Sequence, residues 1–415
     1  MSPVRVSVLV DLAWRPSAGG HVKTWERLAR AASERPDALE LVLHLSGTAC
    51  ATHQLAGNVR LMIHPPIFST GRLPFLSHLP DHTDLAPYHP GLARELEGSD
   101  VVHTTDSFAF ARTAARFAHR SGTPLVHSFH TDTPAYARVY SEETVVRSVG
   151  SGLLGRFLLQ RVGVPERAER AMRERLRQHL QRCAYVFANR SADRAAAQDL
   201  LGAQRVGGLR RGIERELFEP GRRDRAWLAG ELGIAPDRVV VLYVGRLDRC
   251  KSFDLLIEAA RVLVERGRPI HLLCAGEGSL REAVEGTLGP RVTCLGFVPA
   301  ERLGAVYASS DLFAFPSRTE VSSNAVQEAL CCGLPVLLSA VNPSVPAAAA
   351  GLVAPEVSAW VDELDAAVSD PGRRAALARA GQDWAAQAIP GWRQVLEEDL
   401  LPVWQAVAEQ RRSPA

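Results

Sequence analysis

The sequence predicts an α/β protein: two Rossmann-like, doubly wound parallel-sheet domains facing a cleft. Three observations predict it. Short apolar runs rich in valine and leucine alternate with amphipathic stretches of helix length, the pattern of strands covered on both faces by crossover helices. The alternation runs through twice, once in each half. The length, 415 residues, exceeds what one ordinary hydrophobic core organises.

In the first half the expected strands are 5–12, 39–45, 59–63, 101–104, 125–129 and 186–188. In the second half they are 239–244, 271–274, 292–295, 312–315, 336–338 and 352–354. The join is expected within 210–222, where adjacent arginines and then Pro220-Gly221 interrupt the pattern. This gives a first domain over 1–215 and a second over 216–390. A last amphipathic helix, 392–412, follows the breaker Pro390-Gly391 and is expected to cross back to the first domain. An arginine-rich helical stretch, 146–183, interrupts the first half like an insertion. It fits two readings: a surface lying on an anionic membrane, or a solvated helix face in which Glu166, Glu169 and Glu174 alternate with the arginines.

Composition supports a globular protein, with 46% apolar and 23% charged residues. No apolar run approaches the roughly 20 residues that span a bilayer. The opening Met-Ser-Pro-Val-Arg-Val enters a strand pattern without a basic lead or a long apolar stretch, so the expected location is cytoplasmic. Seven scattered cysteines with no Cys-x-x-Cys pair point away from zinc and disulfides, towards reduced thiols. The net charge of +2 hides an asymmetry: 28 basic and 20 acidic residues up to 215, then 20 and 26 beyond. Only Lys23 and Lys251 are lysines, which marks both positions.

The chemistry concentrates at strand ends. After strand 312–315 comes a polar loop, Pro316-Ser317-Arg318-Thr319-Glu320-Val321-Ser322-Ser323, and then a helix. Ser322 or Ser323 can cap that helix. Its first N–H groups and positive dipole end suit a diphosphate. Glu320 in the loop and Glu328 within the helix stand at different heights over one crevice, so they can serve different hydroxyl pairs of a nucleotide sugar. The strand 239–244 ends in Gly245-Arg246, and a helix opens near Ser252. Arg246 and Lys251 therefore place two cations over one loop, the charge compensation a leaving diphosphate needs. Gly276 and Gly278 read as a tight turn, and Phe297-Val298 either as an edge that lines a nucleobase or as core packing.

In the first half Gly19-Gly20 precedes a helix and allows close approach of backbone to a ligand, or forms an ordinary strand–helix turn. His130 falls where an apolar strand meets the polar Thr131-Asp132, at the carboxyl edge where α/β ligands bind. His103 and Asp106 are secondary candidates on the same edge. No Asp-x-Asp occurs anywhere in the chain, so no metal-binding pair of that kind is offered.

With these motifs in view, the chain resembles retaining glycosyltransferase family 4, the group 1 glycosyltransferases of GT-B fold. The family signature, Glu-x7-Glu followed by a small-residue helix end and Gly-x-Pro-Val, is carried by Glu320, Glu328 and Gly333-Leu334-Pro335-Val336. The resemblance implies that Glu328 holds the ribose hydroxyls and that Glu320 lies beside the donor sugar. It implies that backbone at Val321, Ser322 and Ser323 meets sugar and phosphates, and that Arg246 and Lys251 stabilise the leaving diphosphate. Gly245, Gly276, Phe297 and Val298 would complete the donor site. Gly19-Gly20 would face the donor, and His130 would lie near the sugar's hydroxyls. The chain departs from the family at Ser322-Ser323, where an aromatic-Gly pair is usual, and at Val341–Ser344, where a glycine pair and an acid are usual.

The expected activity is thus transfer of a hexose-type sugar, with retention, from a UDP- or GDP-linked donor to a carbohydrate or lipid-linked acceptor. No metal, no cofactor and no nucleic acid take part. Two alternatives remain on sequence alone: a nucleotide-sugar epimerase or hydrolase on the same fold, and a non-catalytic nucleotide-sugar binder.

Overall fold

The computed structural model describes residues 3–15, 18–72, 84–318, 323–341 and 345–412. The chain divides into two compact units, Met1–Arg210 with Trp392–Ala415, and Arg211–Gly391.

The first unit is built on an eight-stranded sheet. Its strands are β1 Val4–Ala13, β2 Leu39–Ser46, β3 Ala51–Ala56, β4 Val59–His64, β5 Val101–Thr104, β6 Leu125–Ser128, β7 Tyr185–Phe187 and β8 Val206–Gly207. The spatial order is β3-β4-β2-β1-β5-β6-β7-β8. Every pairing is parallel except β3 with β4. Val6, Val8 and Val10 of β1 are completely buried, as a central parallel strand requires. The helix Gly20–Ser33 lays Val22, Trp25, Leu28, Ala29 and Ala32 on the core, the spacing of one helix face.

The C-terminal segment packs into the same core through Trp392, Val395, Leu396, Leu400 and Trp404. It is helical over Trp392–Val395 and Leu401–Arg412, with a π-helical turn at Leu396–Leu400 between them. Arg210 pairs with Asp399 at 2.6 Å and Glu398 at 2.7 Å, tying this segment to the end of the unit's first part.

The arginine-rich insertion comprises two long helices, Thr133–Val149 and Val164–Leu180, joined by the short helix Leu153–Arg156 and a π-helical turn at Phe157–Val162. Arg138 of the first long helix pairs with Glu166 of the second at 3.0 Å.

The second unit carries a six-stranded, wholly parallel sheet in the order β11-β10-β9-β12-β13-β14. Its strands are β9 Val239–Val244, β10 Ile270–Ala275, β11 Val292–Cys294, β12 Leu312–Phe315, β13 Val336–Ser339 and β14 Gly351–Val353. The helix Phe253–Glu265 buries Phe253, Leu256, Ile257, Ala260 and Leu263 against it.

Candidate functional site

In the second sheet, β10 and β11 lie on one side of β9, and β12, β13 and β14 on the other. The chain leaves β9 and β12 in opposite directions, so a crevice opens beyond their carboxyl ends. The loops that flank it are those starting at Gly245 and Pro316.

The Gly245 loop is locked by backbone. Gly245 N–H donates to Ala275 O at 3.0 Å, Leu247 N–H to Glu277 O at 3.0 Å, and Leu280 N–H to Leu247 O at 2.9 Å. Gly276 N–H donates to Gly296 O at 2.7 Å, adding the loop that carries Phe297. A β-carbon on Gly276 would stand 2.0 Å from Gly245 O, and one on Gly278 2.4 Å from Leu247 O. Glycine is required here because three loops lie backbone on backbone. Gly245 itself takes φ +150°. The buried Tyr243 hydroxyl donates to Arg246 O at 2.8 Å and fixes the start of the turn.

That rigid loop presents the cations. Asp248 is buried; its carboxylate lies 3.2 Å from Arg246 Nε and accepts Lys251 N–H at 3.1 Å. It sets the direction of the Arg246 side chain and the turn Arg249–Lys251 together. Ser252 follows with φ 52°, the only non-glycine at positive φ among the described residues. That left-handed conformation is costly for a residue with a β-carbon. The Ser252 hydroxyl accepts Arg318 Nε–H at 3.2 Å, which ties the β9 loop to the β12 loop. Arg318 is a third cation at the crevice, and the sequence reading missed it. Its only signal was its place, two residues before Glu320 in the motif.

Glu328 lies in the second turn of the helix Asn324–Cys331 and is buried. The Tyr307 hydroxyl, from the helix Ala300–Ser309, donates to its Oε2 at 3.1 Å. Of the two candidate caps, Ser323 is N-cap and accepts Val326 N–H at 3.4 Å. Glu320, Val321 and Ser322 lie outside the described residues. Phe297 is 43% exposed, so it is not a core residue, whereas Val298 packs partly buried against the core.

In the first unit the corresponding crevice lies where β1 and β5 are neighbours. Gly19 is N-cap of the helix Gly20–Ser33, and nothing lies within 4 Å of where its β-carbon would be. His21, in the first turn, stacks on His130 with centroids 4.3 Å apart and planes 5° from parallel. The structure thus brings the glycine pair and His130 to one place.

His130 is buried and held by a directional relay. Trp404 Nε1–H donates to His103 Nδ1 at 3.1 Å, and Trp25 Nε1–H donates to His130 Nε2 at 3.3 Å. Ser128 Oγ joins the two rings, 2.8 Å from His103 Nε2 and 2.8 Å from His130 Nε2. An indole N–H only donates, so both nitrogens facing an indole are acceptors. His103 then donates from Nε2 to Ser128, and Ser128 donates to His130 Nε2. With Nε2 accepting, the donor position of the His130 ring is Nδ1.

Two secondary candidates are corrected. His103 is completely buried inside this relay, and burial lowers its pKa to about 3. Asp106 accepts Asp11 N–H at 3.0 Å and Phe108 N–H at 2.9 Å, so both of its oxygens serve the protein's own backbone. Lys23 pairs with Glu26 at 2.7 Å.

Comparison with known proteins follows this geometry. Residues 18–217 match the family model for Glycosyltransferase Family 4, and residues 238–370 the model for Glycosyl transferases group 1. D-inositol 3-phosphate glycosyltransferase of Nocardia farcinica is 32% identical over 323 residues, covering 71% of this chain and 65% of that protein. The protein of the same name from Rhodococcus erythropolis is 31% identical over 278 residues, covering 62% and 58%. The chain therefore spans a little under two thirds of the length of these relatives. Among solved structures, sucrose-phosphate synthase from Thermosynechococcus elongatus superposes with a TM-score of 0.70 at 19% identity, over 98% of this chain and 100% of that one. HepE from Anabaena, in complex with UDP and glucose, gives 0.64 at 18% identity over 98% and 99%. At such identities the likeness is one of fold.

Proposed function

The chain belongs to the group 1 glycosyltransferases of family 4, and we propose that it moves a hexose-type sugar from a nucleotide-diphosphate donor to an acceptor hydroxyl with retention of configuration. One observation carries this reading. The loops after β9 and β12 meet through Arg318 and Ser252, and bring Arg246, Lys251 and two helix starts to one edge of one sheet. Such an edge suits a diphosphate, whose charge needs fixed positive partners in a site of low dielectric.

In this reading the diphosphate lies over the Gly245–Ser252 loop and the helix start at Ser323. Glu328, oriented by Tyr307, takes the ribose hydroxyls, and Phe297 lines the base. Glu320 lies beside the sugar. The acceptor hydroxyl forms the new C–O bond on the face from which the phosphate oxygen departs. Its proton goes to a phosphate oxygen of the leaving nucleotide, so no protein base is required. His130 fits that scheme as a hydrogen-bond donor from Nδ1 to a substrate hydroxyl. It is a poor base, because Nε2 already accepts from Trp25 and Ser128.

The donor is UDP- or GDP-linked, and no divalent metal is used. The acceptor is a carbohydrate or lipid-linked hydroxyl. The names of the curated relatives put an inositol phosphate first in the panel to be tried.

The test incubates the full chain with UDP-, GDP- and ADP-sugars, each alone and with the acceptor panel. Expected is nucleotide release matched one for one by a new α-configured glycoside, and only when an acceptor is present. An altered free sugar formed from donor alone would favour the epimerase or hydrolase reading instead.

A further inference from the structure

The arginine-rich insertion divides in the structure into two unlike parts. Its second long helix is laced with ion pairs: Arg173 meets Glu169 at 2.6 Å, and Arg177 meets Glu174 at 2.8 Å. That is a solvated face. The segment before it, 145–164, contains Arg147, Arg156 and Arg161, no acidic residue, and ten aliphatic or aromatic residues among its twenty. All three arginines are exposed.

The apolar side chains of this segment are exposed as well. Among the described residues twelve large hydrophobics are exposed, and five of them fall within 146–157. Leu153 is 84% exposed, Leu154 57% and Phe157 54%, with Val146 and Val149 beside them in sequence. The exposure is built in. Gly150 N–H donates to Val146 O at 2.9 Å and Arg156 N–H to Gly152 O at 2.9 Å. Gly155 lies so close to Gly150 O that a β-carbon would stand 1.9 Å from it. The connector is therefore folded on itself, with Leu153, Leu154 and Phe157 outward.

We propose that this connector docks the protein on the surface of an anionic lipid bilayer. Exposed apolar side chains interspersed with Arg147, Arg156 and Arg161, with no acid between Thr144 and Pro165, match an apolar interior beneath an anionic headgroup layer. A second copy of the chain does not match. A two-fold contact would set Arg147, Arg156 and Arg161 against their own copies, with no acid on the segment to neutralise them. The helix Thr133–Val149 begins three residues after His130 and runs directly into the connector. Docking would thus hold the first unit on the bilayer that carries a lipid-linked acceptor, with the His130 edge about one helix length, roughly 25 Å, from the connector. This last consequence rests on the proposed transferase reading; the docking itself does not.

The experiment is co-sedimentation of the full chain with vesicles of phosphatidylcholine alone and of phosphatidylcholine mixed with phosphatidylglycerol. The protein is expected to bind the mixed vesicles, to leave the neutral ones largely alone, and to be released by salt. Each basic residue near an anionic surface is worth about fivefold in partition. Losing three weakens binding on the order of 10²-fold, and the Arg147→Glu, Arg156→Glu, Arg161→Glu variant, which also adds three negative charges, should bind at least that much more weakly. The Leu153→Ser, Leu154→Ser, Phe157→Ser variant should also lose binding. Both should nearly keep the wild-type melting curve, because these side chains are exposed. Nucleotide binding without vesicles, read by calorimetry, should be unchanged in both, and its absence in the wild type would count against the transferase reading alone. Equal binding to both vesicle types, no binding to either, or wild-type binding by the variants overturns the docking proposal. So does light scattering without vesicles, if it shows a wild-type dimer that the serine variant breaks.

Discussion

The two sheets offer the same topological opening and fill it with opposite charge. In the first unit the edge beyond β1 and β5 carries Asp11 and Asp106, both buried. Both carboxylates bind the protein's own backbone. Asp11 accepts Phe110 N–H at 3.3 Å, in the first turn of the helix Ala109–Ser121, while Asp106 accepts the N–H groups of Asp11 and Phe108. Burial raises Asp106 to about 6, and burial together with the nearby Asp106 charge lifts Asp11 well above the ordinary carboxylate range. In the second unit the equivalent edge carries Arg246, Lys251 and Arg318, turned by Asp248 and Ser252. Topology makes the crevice in both. The side chains decide whether its helix starts serve the fold or a ligand.

The units differ again in their cores. Twelve of the thirteen histidines precede residue 211. Burial lowers His64 and His179 to about 4 and His103 to about 3, and pushes His44 and His127 well below the usual range. The second unit has only His271, lowered to about 4, chiefly by burial.

The largest way to test this contrast is acid. The five histidines stay neutral in the fold, while the unfolded chain protonates them below about pH 6.5. Their contribution is therefore lost as pH falls from about 6.5 towards 4. Asp11 and Asp106 act the other way, since the fold holds protons there that the unfolded chain releases above about pH 4. More groups in the first unit than in the second are held neutral against protonation, so stability should fall more steeply there as pH drops through this range. Hydrogen exchange at pH 7 and pH 5, corrected for intrinsic rates, should show peptides of β1, β5 and β6 losing protection before those of β9 and β12. The reverse order would break the comparison.

Next in size is Lys251→Ala. If Lys251 meets the leaving diphosphate as proposed, removing its charge should lower turnover on the order of 10²-fold, with a smaller change in donor affinity. His130→Ala, in the first unit, removes a neutral donor and should cost only about tenfold. With His130 acting as a donor and not as a base, as proposed, the shape of the pH–rate profile should survive that substitution. Steady-state kinetics on both variants sharpen the division of labour, and equal losses would erase it.

Glu328→Gln should have an effect of about tenfold on binding, since charge-assisted hydrogen bonds are roughly twice as strong as neutral ones. Affinity for the donor and for the free nucleoside diphosphate should fall together. Calorimetry with nucleotide alone reads this, and unchanged affinity would remove the ribose role.

How much of this was legible depended on burial. Strands such as Val101–Thr104, Val239–Val244 and Leu312–Phe315 matched their expected bounds because strands buried on both faces read as unbroken apolar runs. β3 was not legible: it is an exposed antiparallel edge, Ala-Thr-His-Gln-Leu-Ala, with neither a run nor an alternation to see. β8 has only two residues. The two π-helical turns leave no mark in a periodicity of 3.6. Arg246 and Lys251 stood out by position and, for lysine, by rarity. Arg318 did not, because one more arginine carries no signal in a chain whose cations are nearly all arginine. His103 looked like an edge residue because a histidine near a strand end reads the same whether its ring points into the core or out of it.

The smallest expected effect is none at all, and it bears most directly on the contrast. Transfer should survive excess EDTA. A leaving diphosphate needs positive charge, and there are two ways to supply it: a divalent ion held by acids, or fixed cations and helix N-termini. The first unit has the buried acids, but Asp106 has both oxygens on backbone N–H groups, and Asp11 is pushed towards its protonated form. The second unit has the cations, and Asp248, an acid of the same loop, is already beside Arg246. Among the described residues no group of three or more His, Cys, Asp or Glu is placed to hold a metal ion. An acid pair near the diphosphate would also oppose the very cations that Asp248 and Ser252 orient. The assay is sugar transfer with and without EDTA, followed by addition of magnesium or manganese. If EDTA abolished transfer and either ion restored it, the diphosphate would be held by a metal. Glu320, outside the described residues, would then be the first acid to substitute, and the opposition between an acidic edge and a cationic one would no longer describe how the two units divide the chemistry.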